Sequence, residues 1–105
     1  MSIAVELSDL QAKSAEFRWA YLLTVRDDLT PHVVAVSPSW VDDALVMSVG
    51  TGSARNATAR SSVTLCYPPV DHAGFSLIVD GAATVDANDL VTLHPTAAVL
   101  HRPAT

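Results

Sequence analysis

The chain has 105 residues, a formal net charge of −5 and a hydrophobic content of 50%. This length suits one domain, residues 1–105, and a domain of that size buries about 65% of the surface that its unfolded chain exposes. The acidic balance argues against general nucleic-acid binding, which needs a positive face. No apolar run reaches the roughly 18 residues of a membrane span. We therefore expect a soluble protein, unusually apolar, that covers part of its surface against a second copy.

The N-terminal residues and the single cysteine indicate the cellular compartment in which the protein is expected. The first twenty residues mix charged with apolar side chains, unlike the basic tip and apolar block of a signal peptide. A cytoplasmic location is expected. The only cysteine, Cys66, lies in the apolar run from Val63 to Tyr67 and is expected to be a small core residue without a redox or nucleophilic role.

The apolar pattern predicts two short helices and several strands. Apolar residues spaced by four, three and seven predict an amphipathic helix from Ser8 to Phe17, and an alanine-rich segment from Ser53 to Arg60 suits two helical turns. Both alternating sets of side chains in Trp19–Val25 are mostly apolar, which predicts a strand with two apolar faces. The other predicted strands are His32–Val36, Ala44–Val49, Val63–Tyr67, Phe75–Asp86 with a bulge or bend at Gly81, and a C-terminal strand from Leu90 that is interrupted at Pro95. Short strands joined by tight turns favour a small antiparallel barrel, because closing the sheet removes exposed edges.

The stretch VGTGSARNATARSSVTL, residues 49–65, is the strongest candidate for a binding site. Residues 44–70 contain no aspartate or glutamate, and their only charges are Arg55 and Arg60. Backbone amides at a helix start, hydroxyl groups and a guanidinium together can receive an anion. Alternatively, Gly50 and Gly52 only permit positive φ at a turn, and Ser53 caps the helix. A bare GxGS is a weak signal, so the residues alone leave both interpretations open.

Other chemistry has little support in the sequence. The four histidines share no close spacing with one another or with Cys66, so no metal site is predicted and each histidine is expected at a turn or on the surface. The common hydrolase, zincin and P-loop motifs are absent from the 105 residues. Asp42 and Asp43 are interpreted as turn residues.

The order of these features resembles the split-barrel flavin-binding family typified by pyridoxamine 5'-phosphate oxidase. The likeness runs from Phe17 to Ala104 and is carried by AYLLTVRDDLTPHVVAVSPSW, ALVMSVGTGSARNATARSSVTLCY, GFSLIVDGAATVD and AAVLHRPA. It is strongest toward small actinobacterial-type members, which use flavin mononucleotide (FMN) or the deazaflavin F420. The resemblance implies a mainly β protein, a six-stranded antiparallel split barrel with short flanking helices that forms a homodimer with a cofactor in each of two interface clefts.

The same resemblance implies which residues bind the cofactor. The strand Val33, Val34, Ala35 and Val36 would lie against the flavin or deazaflavin ring, largely through its backbone. The residues matching the phosphate-binding turn and helix are Thr51, Ser53, Arg55 and Asn56, with Arg60 as a further addition. Many relatives carry a lysine where this chain has Ser53, so phosphate affinity is expected to be lower. The chain has six basic residues, so few positive charges are available to bind the polyanionic tail of F420. FMN is therefore expected as the cofactor in preference to F420, and haem is the least favoured of the three.

The function implied is that of an FMN- or F420-dependent oxidoreductase acting on a small organic substrate. The cofactor would carry the hydride, so no catalytic side chain is assigned. His101 and Arg102 are predicted to contribute to the substrate pocket. The alternatives are a non-catalytic flavin- or haem-binding protein for storage or sensing, and a dimeric barrel with an empty cleft.

Overall fold

The computed structural model describes residues 1–104, which form eight strands and two helices. In chain order the elements are β1 (Ser2–Ala4), α1 (Leu7–Ser14), β2 (Ala20–Val25), β3 (Pro31–Val36), β4 (Ser39–Val41), β5 (Ala44–Ser48), α2 (Thr51–Ala59), β6 (Ser62–Tyr67), β7 (Ser76–Val85) and β8 (Leu90–His101). Within this part of the chain, neither helix is long and apolar enough to cross a membrane.

All the strands belong to one antiparallel sheet with the order β3-β2-β6-β7-β8-β5-β4, and β1 pairs with the C-terminal end of β8. The inward side chains of the central strands form one core with residues of both helices. This core includes Leu10, Leu22, Leu45, Met47, Ala57, Leu65, Leu77, Val79, Val91 and Leu93. Helix α1 packs on β8, and α2 packs on β7, β2 and β8. The curled sheet ends in two edge strands, β3 and β4, and α2 lies near the β3 edge.

The predicted fold class is confirmed, whereas the predicted count of six strands is wrong. The additional strands are β1 and β4, which have three residues each. Three residues are too few to display an alternating apolar pattern, so the sequence offers no periodicity from which to detect them.

The limits of two predicted elements, α1 and β8, differ from those in the structure. Helix α1 ends at Ser14 and does not reach Phe17, because the amides of Glu16 and Phe17 bond three residues back and no longer continue the α-helical ladder. The Ser14 hydroxyl donates to the Gln11 carbonyl at 2.9 Å and accepts the Trp40 indole N–H at 2.8 Å. Strand β8 continues through Pro95 without the predicted interruption.

The predicted irregularity at Gly81 is confirmed. The pairing of β7 with β8 shifts between Asp80 and Gly81, which face Ala97 and Pro95, so Thr96 is the extra residue of a bulge. A Cβ added at Gly81 would lie 2.4 Å from the His94 carbonyl oxygen. Glycine is required there because the two backbones approach too closely for any side chain.

The outer face of β2 is apolar, as predicted for a strand with two apolar faces. Leu22 and Thr24 of β2 point into the core, whereas Tyr21 and Leu23 point outward. Cys66 also lies on this outer face, opposite Tyr21 and Ile78 in the flanking strands, and is half-buried. The prediction that Cys66 is a core residue is therefore wrong, because β6 places Val63, Leu65 and Tyr67 inward instead. Burial raises the pKa of its thiol, which disfavours the reactive thiolate.

Candidate functional site

Helix α2 begins with an unneutralised N-terminus at the surface. Gly50 is its N-cap residue, no side chain caps the first turn, and the first turn contains no acidic residue. The first amide groups of a helix lack intrahelical acceptors and carry a partial positive charge. A Cβ at Gly50 would meet nothing within 4 Å, and one at Gly52 would meet only the His32 ring at 3.8 Å. The helix start is therefore open to a ligand.

The alternative interpretation, in which Gly50 and Gly52 permit positive φ at a turn and Ser53 caps the helix, is wrong. No glycine among residues 1–104 has a positive φ. The helix starts at Thr51, two residues earlier than the sequence suggested, so Ser53 is inside the helix and cannot cap it. The absence of Cβ atoms at Gly50 and Gly52 instead leaves room in front of the helix.

A groove of about 400 Å3 lies between the first turns of α2, the start of β3 and the β2–β3 turn. We call it the α2 groove. Its lining residues are Arg26, Asp27, Asp28, His32, Gly52, Arg55 and Asn56. Three of these residues come from the β2–β3 turn, which the pairing of β2 with β3 brings beside α2.

A buried polar network forms the floor of the α2 groove. Thr24 and His32 are directly opposite each other in β2 and β3, and both side chains lie on the inner face of the sheet. The Asn56 amide nitrogen donates to Thr24 Oγ1 at 3.2 Å and lies 3.4 Å from His32 Nδ1. Ser53 Oγ lies 3.5 Å from the same His32 nitrogen. Ser53 and Asn56 are only 2% and 7% exposed, so they fix His32 from the interior.

Charged side chains form the outer wall of the α2 groove. The Arg55 guanidinium, 75% exposed, donates to Asp27 Oδ2 at 3.0 Å, and Arg60 donates to Asp27 Oδ1 at 3.1 Å. The hydrogen bond from Arg60 and the positive charge of Arg55 lower the pKa of the Asp27 carboxyl. Hydrogen bonds from the Thr30 hydroxyl and backbone lower the pKa of Asp28. Although residues 44–70 contain no carboxylate, the turn before β3 supplies two of them, Asp27 and Asp28, to the groove.

Strand β3 provides a second surface beside the helix start. It pairs with β2 on one side only, so some of its backbone N–H and C=O groups point outward from the sheet edge. At its C-terminal end lies a hollow of about 490 Å3, the β3 hollow, lined by Trp19, Ala35, Val36, Ser37 and Ser48. Strand β3 connects the two cavities, since His32 near its start lines the α2 groove and Ala35 and Val36 near its end line the β3 hollow.

The site residues predicted from the sequence lie on these two elements. Val33 and Ala35 are exposed on the outer face of β3, whereas Val34 is half-buried and Val36 buried on the inner face. Thr51 is the exposed first residue of α2. Arg55 borders the α2 groove, while Ser53 and Asn56 contribute through the buried network described above.

His101 and Arg102 lie elsewhere in the chain. His101 ends β8 and contacts the Ser2 hydroxyl at 3.0 Å, and the Arg102 guanidinium stacks over the Phe75 ring at 4.5 Å. Both are next to the start of β7, whereas the C-terminal end of α2 is next to Ala83, near the end of β7. Neither residue lines the α2 groove or the β3 hollow of its own chain.

Sequence reasoning missed His32, Thr24 and Asp27 as parts of this site. Thr24 and His32 occupy the same alternating positions as the inward-facing Leu22 and Val34. A polar residue at a core-facing position needs a hydrogen-bonding partner, and this signal could have identified both residues. The long-range pairing of Asp27 with Arg55 and Arg60 leaves no comparable trace in the sequence.

The chain has relatives among mycobacterial proteins. It is 36% identical over 119 aligned residues to "Uncharacterized protein Mb0449c" of Mycobacterium bovis, covering 95% of this chain and 82% of the relative. The same values hold for "Uncharacterized protein MT0457" of Mycobacterium tuberculosis. No protein-family model matches the chain.

Solved structures share its architecture at low sequence identity. A protein named F420 Reductase superposes with a TM-score of 0.64 at 23% identity, over 77% of this chain and 88% of the other. The FAD binding protein from Mycobacterium smegmatis gives a TM-score of 0.67 at 16% identity, over 97% and 100%. The protein named "Putative Pyridoxamine 5'-phosphate oxidase" from Listeria innocua gives 0.67 at 12% identity, over 87% and 92%. At such identities the likeness shows the fold, and it confirms the split barrel. The chain belongs to the same family as the two mycobacterial proteins, and its fold is that of the pyridoxamine 5'-phosphate oxidase-like flavin-binding split barrels.

Proposed function

We propose that the chain binds a flavin-type cofactor along α2 and β3 and acts as an oxidoreductase on a small organic molecule. The single observation that carries this proposal is the open, unneutralised start of α2 beside Arg55 and the unpaired edge of β3. The structural neighbours named for F420 and FAD support a ligand of this class.

The phosphate of the cofactor would lie at the start of α2. Amides of the first turn, the Thr51 hydroxyl and the Arg55 guanidinium can all donate hydrogen bonds to an anion there. Arg55 is exposed and held by one surface carboxylate, so it can exchange Asp27 for a phosphate at low cost. The residues present therefore fit a phosphate group.

The ring of the cofactor would lie along the edge of β3, toward the β3 hollow. Backbone groups on that edge are available to the polar edge of a flavin ring, and Trp19 offers an aromatic surface in the hollow. Riboflavin has no phosphate but the same ring, so it separates the two ends of the site experimentally.

The net charge of the α2 groove favours FMN over F420 as the cofactor. Arg26, Arg55 and Arg60 are offset by Asp27 and Asp28, which leaves a local charge of about +1 for binding an anion. That excess suits one phosphate and offers little to a polyanionic tail.

We also propose that the protein is a homodimer with the cofactor at the interface. On the outer face of the sheet, Tyr21 of β2 and Val33 of β3 are exposed, and Leu23 of β2, Cys66 of β6 and Ile78 of β7 are half-buried. An apolar patch of this kind on a chain of this size is expected to be covered by another copy. In a dimer built on this face, β3 and its site would border the partner.

When bound, FMN or F420 supplies hydride transfer. The residues of this chain would orient the cofactor, hold its phosphate and exclude water from one side of the ring. The second candidate is a non-catalytic flavin- or haem-binding protein, because no side chain of the chain is assigned to a catalytic step.

The visible spectrum of the purified protein, followed by titration with FMN and F420, tests the proposal. A flavin or deazaflavin spectrum supports cofactor binding, a haem spectrum supports the haem-binding alternative, and a colourless protein that binds neither added cofactor contradicts the proposal. Anaerobic reduction of the bound cofactor, followed by reoxidation with a panel of small organic acceptors, separates an enzyme from a storage protein.

A further inference from the structure

We propose that His32 is locked as the Nε2–H tautomer by Asn56 and Ser53 and donates that proton, as a neutral hydrogen-bond donor, to the anionic group bound at the start of α2. The tautomer follows from the network alone, whereas the ligand part rests on the proposed function. The role makes His32 a residue that positions and selects the ligand.

The contacts of His32 Nδ1 determine the tautomer. The Asn56 Nδ2 atom is a donor only, because the amide NH2 group has two hydrogens and no acceptor capacity. Nδ2 donates to Thr24 Oγ1 at 3.2 Å and lies 3.4 Å from His32 Nδ1, within reach of its second hydrogen. Since Nδ1 must accept, the proton of the neutral imidazole resides on Nε2.

Ser53 supports the same assignment. Its hydroxyl lies 3.5 Å from His32 Nδ1 and can also donate to it. All three supporting residues, Thr24, Ser53 and Asn56, are buried and cannot exchange these contacts for water. Leaving any of their polar groups unpaired in the interior would be costly, so the network resists rearrangement.

The opposite edge of the His32 ring is free to meet a ligand. His32 lines the α2 groove, and among residues 1–104 no hydrogen bond engages its Nε2 atom. The ring also lies beside the first turn of α2, since a Cβ at Gly52 would be 3.8 Å from His32 Cε1. The Nε2–H group therefore adds a donor next to the helix amides and Arg55.

A neutral donor at this position would recognise an anion without adding charge. Arg55 and Arg60 attract any anion into the groove, whereas a directional N–H at its floor distinguishes a phosphate oxygen that reaches the helix start. This offers a physical role for a histidine where sequence reasoning expected only a surface residue.

The tautomer is measured by NMR of 15N-histidine-labelled protein without added ligand, with the His32 signals assigned by their loss in His32→Gln. We expect a protonated Nε2 and an unprotonated Nδ1 in the unsubstituted protein. Protonation on Nδ1 alone would overturn the proposal. In Asn56→Asp the carboxylate can only accept, so the proton should move to Nδ1 or the ring should become doubly protonated. An unchanged tautomer in a folded Asn56→Asp protein would also overturn it.

The proposed hydrogen bond from His32 to the anionic group, which is the ligand part of the proposal, is tested by titration with FMN and with riboflavin. His32→Ala should weaken FMN binding by about three- to tenfold, the loss of one hydrogen bond, and leave riboflavin binding unchanged. His32→Gln, which keeps a donor, should retain most of the FMN affinity. Equal losses in both variants, or none in either, would overturn the ligand part.

These two experiments also distinguish a failure of this inference from a failure of the proposed function. If the unsubstituted protein binds neither FMN nor F420, the proposed function and the ligand part fail together. The tautomer of His32 in the ligand-free protein is decided independently of that result.

Discussion

Arg55 and Asp27, 28 positions apart in the chain, are joined by a hydrogen-bonded ion pair of 3.0 Å at the mouth of the α2 groove. The pair connects the helix that carries the proposed phosphate site to the turn before β3. Because both side chains are more than half exposed, the pair contributes little to stability and is free to rearrange when an anion arrives.

Replacing Arg55 tests whether its guanidinium binds the ligand. Arg55→Ala should weaken FMN binding by about 1–3 kcal/mol, the range for a lost charge-assisted hydrogen bond. Its unfolding free energy should change by less than about 1 kcal/mol, because the ion pair is at the surface. Isothermal titration and thermal unfolding measure the two quantities. Lys13→Ala, which removes a cation of α1 that pairs with Glu16 just after the helix, is the matched control and should leave FMN binding unchanged.

Replacing Asp27 should have the opposite effect on affinity. Asp27→Asn removes a negative charge that competes with the ligand for Arg55 and Arg60, so FMN should bind about two- to fivefold more tightly, as expected for one screened surface charge. Asp42→Asn makes the same charge change in the turn between β4 and β5, outside the lining of the α2 groove, and the positive φ of Asp42 suits asparagine. An equal gain in both variants would indicate only a general charge effect.

The lowered pKa of Asp27 gives the pH dependence of this effect. The carboxyl stays ionised below the ordinary aspartate range, so its ion pairs persist in mild acid and are lost only as the pH falls through the lowered value. The ratio of FMN affinities between Asp27→Asn and the unsubstituted protein should therefore be constant from about pH 8 to about pH 4, where an aspartate with the ordinary pKa of 3.8 would already be substantially protonated. A ratio that already declines within that interval would mean that the Asp27 pKa is not lowered.

The proposed dimer is tested by a charge on the apolar outer face. Val33→Glu should convert a dimer into a monomer in analytical ultracentrifugation, because a carboxylate would be buried at the interface without a partner. Val41→Glu is the matched control, since Val41 is 56% exposed and Val33 50%, and each lies on an edge strand. A monomeric unsubstituted protein, or dissociation by both variants alike, would contradict the proposed interface.

Two glycines should respond in opposite directions to a methyl group. Gly81→Ala should lower the unfolding free energy by about 1–3 kcal/mol, because its Cβ would clash with the His94 carbonyl in β8. Gly52→Ala should raise it by about 0.5–1 kcal/mol, since alanine favours the helix and the new methyl makes only an ordinary contact. Chemical denaturation measures both, and a stable Gly81→Ala protein would mean that the bulge can relax.

Local features of the sequence predicted the main strands and α1 from their periodicity, α2 from its alanine content, and the bulge from a glycine within a strand. They could not predict β1 and β4, which are too short to show an alternation. The continuation of β8 past Pro95 depends on the bulge at Thr96, a property of the pairing with β7.

The candidate site was predictable only in part, for the same reason. The glycines and Arg55 form one contiguous stretch, so the helix end of the site could be recognised. Asp27 and His32 reach that helix through the pairing of β2 with β3 and through contacts across 28 and 24 positions of the chain. Such contacts depend on tertiary packing, which a single sequence does not display.

The central claim, that the start of α2 holds the phosphate of a flavin, is tested most directly by titrating the unsubstituted protein with FMN and with riboflavin under identical conditions. The two ligands differ only by the phosphate, so the claim predicts that FMN binds at least about tenfold more tightly, the gain from one charge-assisted anion contact. Equal affinities for the two ligands, or no binding of FMN at all, would contradict it.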